Sequence, residues 1–94
     1  MFNMVANVGK IVSIDKINDK EVILTIEVKD NIKDEIFTHT QWTLTKALSE
    51  PLEKYGAKKG DIVGLKGVVK FGMNGAELIA EKLTFVGSRD KENK

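Results

Sequence analysis

Cysteine is absent from this chain of 94 residues, which excludes disulfide staples and thiolate metal ligands and fits an intracellular protein. Histidine occurs once, at His39, and a lone imidazole cannot build a metal site, so no metal or other cofactor is expected. No apolar run approaches the ~18 residues needed to span a bilayer, and residues 1–12 lack the charged start and apolar stretch of a signal peptide. A soluble, cytoplasmic protein with no membrane partner is expected. An excess of one charge is also missing: the formal net charge is +1, so any basic surface has to come from sorting charges between faces. Arg89 is the single arginine among 15 cations, which leaves lysine to meet phosphate as a point charge and argues against bidentate base reading. Catalytic patterns are missing as well. GAKKG, residues 56–60, carries lysines but lacks the preceding glycine and following Ser/Thr of a phosphate-binding loop, and no histidine stands near a carboxylate at recognisable spacing. We expect no enzyme.

What is present is alternation. In residues 59–71, KGDIVGLKGVVKF, Val63, Leu65, Gly67, Val69 and Phe71 alternate with Gly64, Lys66, Val68 and Lys70, which predicts a half-buried strand with two lysines on its outer face. Its glycines mark a bend or a close backbone approach, as at the corners of small barrels. Residues 3–14 predict a long first strand bent at Gly9, followed by a polar turn over 15–20. Residues 21–29 alternate most clearly, with Val22, Leu24, Ile26 and Val28 on one face and Glu21, Ile23, Thr25, Glu27 and Lys29 on the other. A charged connector, DNIKDE, leads into a third strand over 36–44.

The period then changes. Leu44, Leu48, Leu52 and Tyr55 recur at helical spacing, and Gly56 stands where a C′ glycine ends a helix. Pro51 requires either a start near Ser49 as N-cap or a kink. The fourth strand ends at Gly72-Met73-Asn74-Gly75, whose Asn-Gly is a strong hairpin signal, and residues 76–86 form the fifth. One domain over 1–86 and a disordered tail over 87–94 follow. Five strands with one helix between the third and fourth is an all-β layout, that of the five-stranded OB-fold Greek-key barrel, which commonly binds oligonucleotides or oligosaccharides.

The residues carry a resemblance too. Asn3-x-Val5-x-x-x-Gly9-Lys10, Lys59-Gly60-x-x-Val63-x-x-x-Gly67 and Glu77-Leu78-Ile79-Ala80-Glu81-x-Leu83-x-Phe85 resemble the bacterial and phage single-stranded DNA-binding proteins, over residues 3–86. The resemblance implies non-sequence-specific binding of single-stranded DNA, in DNA replication, repair or recombination, by a homo-oligomer, either dimer or tetramer. An OB module for single-stranded RNA, or one that joins a protein complex, stays open. The chain departs from the pattern at Asn7, where the family has an aliphatic residue, and in its short turn between strands four and five. GSRDKENK also lacks the acidic, phenylalanine-ended tip that recruits partner enzymes in the family, so that route is not expected here.

Binding of this kind needs cations along the backbone and flat rings for bases. Lys66 and Lys70 share the outer face of strand four, Lys29 lies on that of strand two, and Lys10 stands where the family also carries a cation. Glu27 shares the face of Lys29 and opposes phosphate there. In strand three, two registers are open. One buries Trp42 with Ile36, Thr38, Thr40 and Leu44 and leaves Phe37, His39 and Gln41 open; the other aligns Trp42 with a stacking position of the family. The candidate interface is therefore Lys10, Lys29, Phe37, His39, Gln41, Trp42, Lys66, Lys70 and Phe71, with the single strand crossing strands two to four. Lys16, Lys20 and Lys82 read as solvated surface, and for Lys58 and Lys59 a role at the helix end is open.

Overall fold

Leu24 and Ile26 are wholly buried, while Glu21, Ile23 and Glu27 around them are open or half-open, so the alternation of residues 21–29 becomes a strand, β2 (Glu21–Lys29). The structure, a computed structural model, describes residues 4–29, 37–73 and 75–87. Its other elements are β1 (Met4–Lys16), β3 (Phe37–Thr45), α1 (Lys46–Lys54), β4 (Ile62–Gly72) and β5 (Gly75–Gly87). The strands close into a barrel in the order β1-β2-β3-β5-β4. All pairs are antiparallel except β3 with β5, where Trp42 lies beside Leu78 and Thr43 beside Ile79. This is the OB-fold that the strand order and the single helix predicted. The connector 30–36, Asn74 of the hairpin turn and the tail 88–94 lie outside the described residues.

Closure depends on two glycines. β1 pairs with β4 through Met4–Lys10 and with β2 from Lys10 onward, so the strand changes partners beside Gly9. A Cβ on Gly9 would lie 2.5 Å from the carbonyl oxygen of Glu27, closer than any real side chain comes. Gly67 is tighter still: a Cβ there would run into the carbonyl of Ile79 on β5. At this point the β4–β5 register shifts between Lys66 and Gly67, leaving Glu81 as the extra residue of a bulge that sharpens the bend.

The core is Ile11, Val22, Leu24, Ile26, Trp42, Leu44, Leu52, Val63, Leu65 and Ala80. Each large side chain here contributes about 1.5–3 kcal/mol by leaving water. α1 closes one end of the barrel with Leu52 buried and Leu48 half-buried against that core. Seating two leucines one turn apart requires the helix to start before Leu48, so the N-cap is Thr45 and not Ser49. Ser49 is buried inside the helix, its hydroxyl donating to the carbonyl of Lys46 at 3.4 Å. Pro51 stays within α1 on an exposed position, and its missing N–H costs the bond to the carbonyl of Ala47. The helix ends as expected at Gly56, which takes φ 67° while its N–H donates to Glu53 and that of Ala57 to Leu52.

Candidate nucleic-acid interface

The outward positions of β2 and β3 form one face, set by a continuous register in which Ile23 opposes Thr43, Thr25 opposes Gln41 and Glu27 opposes His39. The hairpin of β4 and β5 rises beside this face, because β5 and not β4 is the neighbour of β3. Between them lies an open groove of about 790 Å³, with Thr25, Gln41 and Thr43 on one side and Val69, Ala76 and Leu78 on the other. Its lining is mainly hydroxyl, amide and aliphatic, with the nearly buried Thr25 and Thr43 on its floor, and it also holds the His39 ring and the Glu77 carboxylate. Such a surface offers hydrogen bonds to base edges and flat apolar contact to base faces, while leaving phosphates to the rim.

The rim carries paired charge. Glu27 is shared, one carboxylate oxygen 3.7 Å from the Nζ of Lys10 on β1 and the other 3.2 Å from the Nε2 of His39 on β3. Three adjacent strands thus place a carboxylate between a lysine and an imidazole, so the acid that opposed phosphate in the sequence is already engaged. Lys70, exposed on β4, stands directly opposite Glu77 on β5. Phe71 is 71% exposed one residue further along, paired with Ala76, so it extends the aliphatic wall of Val69 and Leu78 toward the hairpin tip.

One expected contact is corrected, and a second residue stands away from the groove. Trp42 is completely buried, its indole N–H donating to the hydroxyl of Thr40 at 3.2 Å, and its ring cannot reach a base without leaving the core. The register that buries it is the one realised: Trp42 shares its inward parity with Leu44, which is equally buried, while His39, Gln41 and Thr43 take the opposite parity. Lys66 is exposed on β4 as alternation required, but it lies between Ala6 of β1 and Lys82 of β5 and does not line the groove. Along the barrel β5 lies between β3 and β4, so β4 is not the neighbour of β3 on this face. Lys10, His39, Gln41, Lys70 and Phe71 lie in or beside the groove. Lys29 and Phe37 pair at the far end of the β2–β3 ladder, with their side chains outside the described part.

Sequence reasoning missed Thr25, Thr43 and Glu77. The threonines were visible as outward positions of their strands, yet nothing local marks them as a groove floor. Glu77 reaches the groove through the parallel pairing of β3 with β5, which brings its carboxylate within 3.0 Å of the Thr43 hydroxyl. Among the described residues, no three His, Asp or Glu side chains are grouped to hold a metal ion, and no helix is long and apolar enough to cross a membrane.

No protein-family model matches the sequence, and no curated protein matches it. Solved structures do. The chain is similar to the mitochondrial single-stranded DNA-binding protein Rim1 of S. cerevisiae, with a TM-score of 0.77 and 13% identity over 94% of this chain and 98% of that one. It is similar to the N-terminal domain of PriB from Thermoanaerobacter tencongensis, described as dimeric, with a TM-score of 0.71 and 18% identity over 92% and 98% of the two chains. A small single-stranded DNA-binding protein of Streptomyces coelicolor gives 0.68 and 17% over 92% and 94%. The chain therefore has the OB-fold in the form seen in single-stranded DNA-binding proteins.

Proposed function

We propose that this protein binds single-stranded DNA without reading its sequence, in DNA replication, repair or recombination, and without catalysing a reaction on it. The observation that carries the reading is the groove between the β2–β3 face and the β4–β5 hairpin, whose mainly hydroxyl, amide and aliphatic lining suits bases while lysines stand outside it and its one carboxylate, Glu77, is engaged by Thr43. Bases enter against Thr25, Gln41 and Leu78, with Phe71 as a ring to stack on at the outer end. Phosphates meet Lys70 and Lys10, the latter exchanging Glu27 for the incoming anion. Lys29, Phe37 and His39 extend the same track at its other end. The likeness to two proteins that are single-stranded DNA-binding by name supports the reading at the level of fold.

The test is fluorescence anisotropy with labelled oligo-dT, oligo-U and duplex DNA of equal length at two salt concentrations. Oligo-dT is expected to bind, with affinity falling as salt rises, and duplex to bind far more weakly. Preference for oligo-U would shift the reading to RNA, which turns on 2′-hydroxyl contacts. Absence of binding to all three by folded protein would leave a protein partner as the better reading.

A further inference from the structure

A second exposed ring lies away from the groove. Tyr55 follows the last residue of α1 and is 75% exposed, although its ring leans on Phe85 of β5 with centroids 4.5 Å apart and planes at 40°. Its backbone is held: its N–H donates to the carbonyl of Pro51 at 3.0 Å, and the next two N–H groups close the helix end onto Glu53 and Leu52. An aromatic surface already fixed in place loses little freedom when something stacks on it. Burial does not explain it.

Glu50 and Glu53 line a separate cavity of about 380 Å³ with Lys16, Asn18 and Lys46, and the carboxylate of Asp61 accepts the backbone N–H of Lys58. Lys54, in the last turn, and Lys59, in the loop after it, are exposed within four residues of Tyr55. An open ring with two exposed lysines within four residues of it in the chain, and with Glu50 and Glu53 lining a different cavity, suits a base and its phosphates better than an apolar or basic partner. β5 links the two places. It carries Leu78 in the groove wall and Phe85 beneath Tyr55, roughly 23 Å apart along an extended strand.

We propose that Tyr55, flanked by Lys54 and Lys59, is a second stacking platform that engages a DNA single strand long enough to run beyond the groove. This rests on the groove reading above. It assigns the end of the barrel closed by α1 to the binding track, so that strands longer than the groove gain affinity from this domain.

The experiment compares oligo-dT of about 6 and about 20 nucleotides, near the limits of one OB-fold's site size. Tyr55→Ala is expected to leave the short oligomer's affinity unchanged and to weaken the long one by about tenfold, about 1.4 kcal/mol. Tyr55→Phe, which keeps the ring, is expected to restore it. Changing Lys54 and Lys59 together to Ala should flatten the salt dependence for the long oligomer only. Equal affinity of wild type and folded Tyr55→Ala for the long oligomer overturns the proposal while the groove reading stands. If wild type binds neither length, the groove reading itself has failed and takes the platform with it. Should Tyr55→Ala fail to fold, the lysine pair decides: an unchanged salt slope for the long oligomer overturns the platform.

Discussion

The hydroxyl of Thr43 on β3 donates to the carboxylate of Glu77 on β5 at 3.0 Å, joining the floor of the groove to the turn end of the β4–β5 hairpin across 34 residues of sequence. Glu77→Gln keeps an oxygen to accept this bond while removing a negative charge from the groove. Oligo-dT is expected to bind the variant a few-fold more tightly, with stability within about 1 kcal/mol of wild type. Weaker binding, measured by anisotropy at the same salt, would show that the carboxylate itself meets the ligand.

Lys70 and Lys66 share the outer parity of β4 but not the groove, and their substitution should separate them. Lys70→Ala is expected to weaken oligo-dT binding and reduce the log-log salt slope by about 0.7, the value of one phosphate contact on a single strand. Lys66→Ala should change neither for an oligomer confined to the groove. Both residues are exposed, so the melting temperatures should barely move. An equal effect of the two changes would place the strand along β4 and not in the groove.

Phe71 stands exposed at the outer end of the hairpin wall, where its ring supports nothing in the core. Phe71→Ala is expected to lower oligo-dT affinity by about 1–3 kcal/mol with the salt slope preserved, because a stacking contact releases no counterions. A titration in which affinity holds would remove the ring from the interface.

Two substitutions test the barrel itself. Trp42→Ala should cost about 3–5 kcal/mol in denaturant unfolding, since it empties the largest wholly buried side chain. Gly67→Ala should cost at least about 1–3 kcal/mol, because the added methyl meets the Ile79 carbonyl at the bulge where β4 closes on β5. A Trp42→Ala protein as stable as wild type that has lost DNA binding would contradict the burial of the ring.

Self-association is expected through β1. Among the described residues, Met4–Val8 pair only with β4, leaving their other edge open, and Met4 and Val8 expose apolar side chains beside it. Light scattering should give a multiple of the 10.5 kDa chain mass at micromolar concentration. Val8→Lys should shift the protein toward that single-chain mass. A single-chain mass for wild type throughout the range would rule this edge out as an interface.

The sequence by itself determined the elements and their order. Alternation around Leu24 and Ile26, the helical spacing of Leu48 and Leu52 and the glycine at 56 are local signals, and each states a period or a terminus within a few residues. They were enough to specify five strands, one helix and the barrel that joins them, and to place Lys66 and Lys70 outward. Only the tertiary structure decided which residues share the candidate groove. Closure puts β5 between β3 and β4, which moves Lys66 beside Lys82 and brings Glu77 to Thr43, and no local pattern encodes a neighbour 34 residues away. The role of Trp42 was undecidable from its strand, because residues of either parity can face a core until the partner strands are known; once β2 and β5 flank β3, Trp42 lies opposite Leu24 and beside Leu78, inside the barrel.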